Sequence, residues 1–188
     1  MAALPALLAF LILVVAVFWA IFIYNNLIRA RNRTREAWSG IEVQLKRRSS
    51  LIPNLVETVR GYATHEHEVF AEVAQARGAL AKATGPAAVA AADGILTQAL
   101  GKLMAVAENY PQLQAATGFN QLQTELADTE EKVAYARQFY NMNALEYNTA
   151  IQSFPGNLFA RHYGFAPVSF FEAEPGVQQD VKVTFSAA

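Results

Sequence analysis

The run His65-Glu66-His67-Glu68 is the one stretch whose residue types suggest metal chemistry. A zinc-protease helix needs histidines at i and i+4, with a glutamate after the first. Here the histidines are two apart and point to different sides of a helix. Di-iron bundles use Glu-x-x-His pairs, and the chain contains none. The absence of cysteine rules out a disulfide scaffold, a lipid-modified cysteine and a thiol nucleophile, and leaves the compartment open. There is no Gly-x-Ser-x-Gly, no phosphate loop and no histidine triad. The chain is therefore read as non-enzymatic, with no catalytic, cofactor or metal site.

Two polar features ask for a structural role. Glu66 occupies a seam position where an apolar residue is expected, and a buried carboxylate is costly unless paired. A register-setting ion pair is expected with Arg35 of the first helix or Arg137 of the fourth; the plainer reading is a partly exposed edge position. Tyr140-Asn141 and Tyr147-Asn148 recur one heptad apart. Hydrogen bonding between helices is the favoured reading, a recognition face the alternative.

These side chains must be carried by helices, and the first of them is apolar. The chain is 53% hydrophobic but only 16% charged, below the ~25% of a soluble domain. The deficit is local, because no Asp, Glu, Lys or Arg precedes Arg29. A bilayer core ~30 Å thick needs ~20 apolar residues in a helix. The run Leu4 to Ile28 meets that. No charge precedes the run, and its bulky end (Phe18, Trp19, Phe22, Tyr24) lacks a small-residue cleavage site. A single-pass anchor over residues 1–28 is expected rather than a cleaved signal peptide. Trp19 and Tyr24 fit the interfacial aromatic belt.

Beyond the anchor, strand signals are absent and four helices can be traced by periodicity. The first continues out of the membrane through Trp38, Ile41 and Leu45 and breaks at Ser49-Ser50. The second starts near Leu51, with Ser50 as cap and Pro53 in its first turn. Its seam steps through Ile52, Leu55, Val59, Tyr62, Glu66, Val69, Val73, Ala76 and Leu80 until Gly85-Pro86. The third is Ala-rich, with Leu96, Ala99, Leu103, Val106 and Tyr110 on its stripe, and stops at Pro111. The fourth runs from Phe119 to Ile151 and closes at Pro155-Gly156. Short connections make neighbours antiparallel. The expected fold is all-α: an anchor helix running into an up-down-up-down four-helix bundle over residues 29–153. An aromatic, irregular tail follows over 154–188. Its rings (Phe154, Phe159, Tyr163, Phe165, Phe170, Phe171) either fill a bundle groove or reach the headgroups or a neighbouring subunit. The end, Glu172 to Ala188, reads as loosely ordered.

Charge is uneven. Residues 1–48 hold seven bases and two acids, net +5; residues 49–188 hold eight bases and fourteen acids, net −6. Arg29, Arg31, Arg33 and Arg35 directly follow the anchor. The positive-inside rule places them, and the bundle, on the cytoplasmic side. Anionic headgroups, not nucleic acid, are the nearer partner for this flank.

Several stretches together resemble the LemA family of bacterial membrane proteins. They are Tyr24-Asn25 through Trp38, Leu45-Lys-Arg-Arg48, Leu51-Ile-Pro-Asn-Leu-Val56, Gly61-Tyr62-Ala63 and His65-Glu66. Further along come Ala76-Arg77, Glu108-Asn-Tyr-Pro111, Phe119, Leu122, Tyr140-Asn141, Tyr147-Asn148, Phe154-Pro155 and Phe170-Phe171-Glu172. Each motif is weak, but their order and spacing over residues 24–172 are specific. Ser50 stands where the family usually has Asp, and Gln112 and Gln114 where an acid and a base are common. The resemblance implies an anchored helical bundle in the bacterial inner membrane, without an established biochemical activity. Relatives on magnetosome membranes imply roles in membrane organisation. Outward-facing lipoprotein relatives leave an extracytoplasmic bundle open.

Two functions follow as expectations. One is a membrane-anchored scaffold that self-associates as a homo-oligomer or binds other membrane proteins, with no small-molecule substrate. The other is an accessory subunit or weak enzyme with a polar site, metal included, around Glu66, His65 and Arg137. The interface with lipid is expected at Trp19, Tyr24, Arg29, Arg31, Arg33, Arg35, Phe154 and Phe159.

Overall fold

A computed structural model describes residues 3–172, with side chains from Leu7 onward. Residues 173–188, most of the stretch read as loosely ordered, lie outside the described residues. The described residues form helices and connections only, with no strand among them. In chain order the helices are α1 (Ala3–Arg60), α2 (His67–Lys82), α3 (Pro86–Glu108), α4 (Pro111–Gln114), α5 (Thr117–Gln152) and α6 (Gly156–Tyr163).

The chain divides into two compact units. Among the described residues, one holds 3–45 together with Glu131–Ser169, and the other holds Lys46–Glu130 and 170–172.

In the first unit, the outer part of α1 exposes nearly every apolar side chain from Leu7 to Phe22. The helix is long and apolar enough there to cross a membrane. From Ile23 onward one face of the helix is covered. Ile23, Leu27 and Ala30 share a core with Tyr147 and Ile151 of α5, Ala160 of α6 and Phe165. α1 and α5 run antiparallel, since Thr34 meets Asn143 and Trp38 meets Tyr140. The tail expected to be irregular contains a helix, α6. Gly164 ends it in the left-handed region at φ 69°, where a residue without Cβ is favoured.

The second unit corrects the expected helix boundaries. α1 does not break at Ser49-Ser50 but runs on to Arg60, with Pro53 inside it. Proline removes the N–H that would bond the carbonyl four residues back, which is that of Ser49. Arg77 of α2 supplies the missing donor: its Nε–H bonds the Ser49 carbonyl at 3.1 Å. Ser50, expected as a cap, instead donates to the Arg47 carbonyl at 2.7 Å.

The seam expected over residues 51–80 is divided between two helices. Ile52, Leu55 and Val59 are buried on α1, and Phe70, Val73, Ala76 and Leu80 on α2. Between them the chain turns through 61–66. The turn happens to preserve the three-four spacing, so periodicity alone reads straight through it. α2 folds back on α1, with the Arg60 guanidinium 5.2 Å from the Phe70 ring centre.

α3 also passes the length and apolarity test for crossing a membrane, yet Leu96, Ala99, Leu100 and Leu103 are buried core residues. It packs on α2, where the exposed pair Lys102–Glu72 closes at 2.7 Å. Pro86 opens α3 after Gly85, whose φ of 81° turns the chain.

Candidate functional site

Glu66, expected on a helical seam, is placed outside the helices by the structure. It lies in the turn before α2, half-buried, as the residue preceding the helix. Its carbonyl accepts from Phe70 N–H at 3.3 Å, and its side chain does not cap α2. Glu66 belongs to the second unit, Arg35 and Arg137 to the first. Among the described residues no group of three or more His, Cys, Asp or Glu side chains is placed to hold a metal ion.

The buried ion pair in the second unit is made by a residue without a sequence signal of its own. Arg48 is 2% exposed, and its Nη1 bonds the buried Asp93 carboxylate of α3 at 2.9 Å. Its Nη2 meets Glu130 Oε2 of α5 at 2.8 Å. Both Nη atoms reach the Thr97 hydroxyl at 3.2 Å, which itself donates to the Asp93 carbonyl. Within the cluster, Arg48 Nε is buried without a hydrogen-bond partner. The cluster links α1, α3 and α5. A spacing rule could not find it, since 45 residues separate Arg48 from Asp93.

A cleft of about 440 Å³ opens near the α3–α5 turn, lined by Met104, Glu108, Gln114, Phe119, Asn120 and Gln123 among others. Two of its amides serve local turns: Gln114 Nε2 donates to the Glu108 carbonyl and Asn120 Nδ2 to the Gln114 carbonyl.

In the first unit, three of the recurring Tyr and Asn side chains of α5, Tyr140, Tyr147 and Asn148, hold the chain after α6. Their bonds go to an extended segment rather than to a neighbouring helix. Tyr140 Oη donates to the Ser169 carbonyl at 2.7 Å and Tyr147 Oη to the Ala166 carbonyl at 2.9 Å. Asn148 grips the Val168 peptide twice, its Nδ2 donating to the carbonyl and its Oδ1 accepting the N–H, both at 2.9 Å. Without these partners the 165–169 backbone would leave polar groups unpaired. Burial pushes both phenols above their ordinary value, with the positive charges of Arg31 and Arg35 opposing the rise at Tyr147.

The expected interface residues divide by surroundings. Trp19 is exposed on the apolar stretch. Tyr24 is half-buried and edge-packed on Tyr163 at 4.9 Å. Arg29, Arg33 and Arg35 are exposed, Arg33 lying 3.5 Å from Glu146. Arg31 is drawn over the buried Phe165 ring at 5.0 Å. Phe159 is half-buried and Phe154 open.

α5 carries a second surface that periodicity did not bring out. Its core face bears Val133, Tyr140, Ala144, Tyr147 and Ile151. Tyr135, Phe139, Met142 and Leu145 lie on the opposite side, three or four residues apart, with exposures of 45–72%. A helix apolar on two opposite faces has one face more than its own core uses.

The family model of the LemA family matches residues 37–185. Magnetosome protein MamQ of Magnetospirillum gryphiswaldense is 30% identical, over 81% of this chain and 65% of its own length. Magnetosome protein MamQ 2 of Paramagnetospirillum magneticum matches to the same extent. Protein LemA of Metamycoplasma hominis is 27% identical over 92% of this chain and 80% of its own. The chain thus spans about two thirds of the length of the magnetosome proteins it matches. With most of its length matched by the family model, this chain, an all-helical protein with an apolar N-terminal helix, belongs to the LemA family.

Proposed function

We propose that this protein is a single-pass, membrane-anchored scaffold without enzymatic activity. It self-associates through the outer face of α5 and so organises membrane or membrane-protein assemblies. In this reading the helices beyond the anchor act as a four-helix bundle over residues 29–153, followed by an aromatic tail. The arginines after the anchor hold the bundle on the cytoplasmic face; an extracytoplasmic bundle is the alternative. The similarity to magnetosome proteins supports a role at membranes.

The observation that carries the reading is the apolar row Tyr135, Phe139, Met142 and Leu145. A contiguous apolar patch on a water-facing helix marks an interaction surface. A second copy is the partner chosen, because anchoring confines copies to one plane with the same face at the same height. Such a contact is self-complementary about a two-fold axis.

The test compares the full-length protein in mild detergent with the double variant Phe139→Glu, Met142→Glu, using sedimentation to measure mass. Wild type is expected to associate with rising concentration, and the variant to stay monomeric with unchanged helical circular dichroism. A wild type that remains monomeric, or a variant that associates equally well, would overturn the reading.

A further inference from the structure

The chain after α5 meets α1 at a definite height. The first residues of α6 are pressed onto the other two helices: a Cβ on Gly156 would collide with the Ala150 carbonyl and touch Leu27. Further along, Tyr163 packs on Tyr24, and Ala160 joins the core of Ile23 and Leu27. α6 therefore lies beside residues 23–27 of α1.

That height has a meaning in a bilayer. The part of α1 before Ile23, residues 3–22, is ~30 Å long at 1.5 Å per residue. This matches a hydrocarbon core of ~30 Å. Arg29, the first charged residue, comes one and a half turns after Ile23–Tyr24. α6 is thus level with the boundary between acyl chains and headgroups.

The exposed side chains of α6 and its preceding turn suit that boundary. Phe154 is 75%, Leu158 61% and Tyr163 55% exposed. Arg161 and His162 stand beside them, both exposed, and Arg29 is exposed on α1. Large apolar side chains, a phenol and basic groups on one short helix are the composition of a segment lying in a membrane interface.

We propose that the Phe154 turn and α6 form a lipid-binding collar. Phe154 and Leu158 enter the acyl boundary, the Tyr163 hydroxyl stays with the headgroups, and Arg161 and Arg29 take the phosphates of anionic lipids. The collar makes a second membrane contact beside the anchor and sets the height of the first unit. It does not depend on self-association through α5.

Because the chain lacks cysteine, Leu158→Cys and Phe154→Cys each provide a unique site for a nitroxide label in the full-length protein. Both positions are exposed, so labelling leaves the core intact. Ser39→Cys, exposed on α1 about 25 Å beyond Phe22, is the aqueous control. The proteins are reconstituted in phosphatidylcholine vesicles with and without phosphatidylglycerol. Collision with oxygen, which partitions into the bilayer, is compared with collision with a water-soluble nickel complex.

Labels at 154 and 158 are expected to favour oxygen several-fold over the control, at every protein-to-lipid ratio. They should move deeper when phosphatidylglycerol is present, and Arg161→Gln should remove that added depth. Nickel access equal to that at position 39 overturns the proposal. So does protection from both reagents that disappears on dilution with lipid, because a second copy would then be covering α6. Equal depth in both vesicle types overturns the assignment of Arg161 and Arg29 to anionic headgroups.

Discussion

Arg77 donates to the carbonyl of Ser49, the group that Pro53 leaves without its helical partner. The bond lets one helix continue through a proline. A second donor–acceptor distance, 3.3 Å from Arg77 Nε to Ser49 Oγ, holds the guanidinium in place. The arrangement couples two residues far apart in sequence, and coupling can be measured.

In a double-mutant cycle, Arg77→Ala alone is expected to destabilise by about 1 kcal/mol. In the Pro53→Ala background, where the helix supplies its own N–H, the same change should cost much less. Thermal unfolding followed by circular dichroism in detergent reads both. Equal losses in the two backgrounds would show that the bond does no work for the proline.

The Arg48–Asp93 pair is nearly out of water on both sides. Asp93→Ala leaves the buried Arg48 guanidinium only the half-exposed Glu130 as counter-charge, and is expected to cost about 3 kcal/mol. Replacing both, as Arg48→Met with Asp93→Leu, should recover most of that loss. Glu130 is half in solvent, and Glu130→Gln should cost less than about 1 kcal/mol. Unfolding midpoints that rank these variants otherwise would contradict the assignment.

Asn148 holds the Val168 peptide by both of its polar groups. Asn148→Ala should lose about 1–3 kcal/mol and release the 165–169 segment locally. Amide exchange at Val168 is the direct readout and should accelerate, while exchange in α2 and α3 stays as in the wild type. A segment that remains protected is held by something other than Asn148.

The two buried phenols set an upper pH limit. Both pKa values are raised in the fold from an ordinary 10.0. Below pH 10 both folded and unfolded chains keep these protons, and the contribution is complete. As pH rises through 10 the unfolded chain ionises first, so stability falls until the folded phenols also titrate. Melting temperature should therefore be insensitive to these groups up to about pH 9 and decline above 10. Tyr140→Phe with Tyr147→Phe should flatten that decline. The Arg31 and Arg35 charges oppose the shift at Tyr147, so Tyr140→Phe alone should remove the larger share.

Much of the helical content was legible in the chain. The apolar run, the Ala-rich α3 before Pro111 and the long seam from Phe119 to Ile151 all carry local signals of composition and period. The two misread boundaries share a cause. Ser49-Ser50-Leu-Ile-Pro53 looks like a helix start, because a proline interior to a helix is normally penalised; the penalty is answered by Arg77, a residue of another helix. The 61–66 turn looks helical because its length keeps the seam in phase, so periodicity puts Glu66 on a helical face although it lies in the turn.

By itself the sequence determined an all-helical chain, a membrane-length apolar segment and the family to which it belongs. These rest on neighbours along the chain: unbroken hydropathy, three-four spacing and motifs in fixed order. Only the tertiary structure decided which polar groups are partnered. It chose Arg48 rather than Glu66 as the buried ion, turned Tyr140, Tyr147 and Asn148 toward the tail backbone, and left one face of α5 and α6 uncovered. Burial and hydrogen bonding depend on residues that folding brings together from tens of positions away, and no local pattern records those meetings.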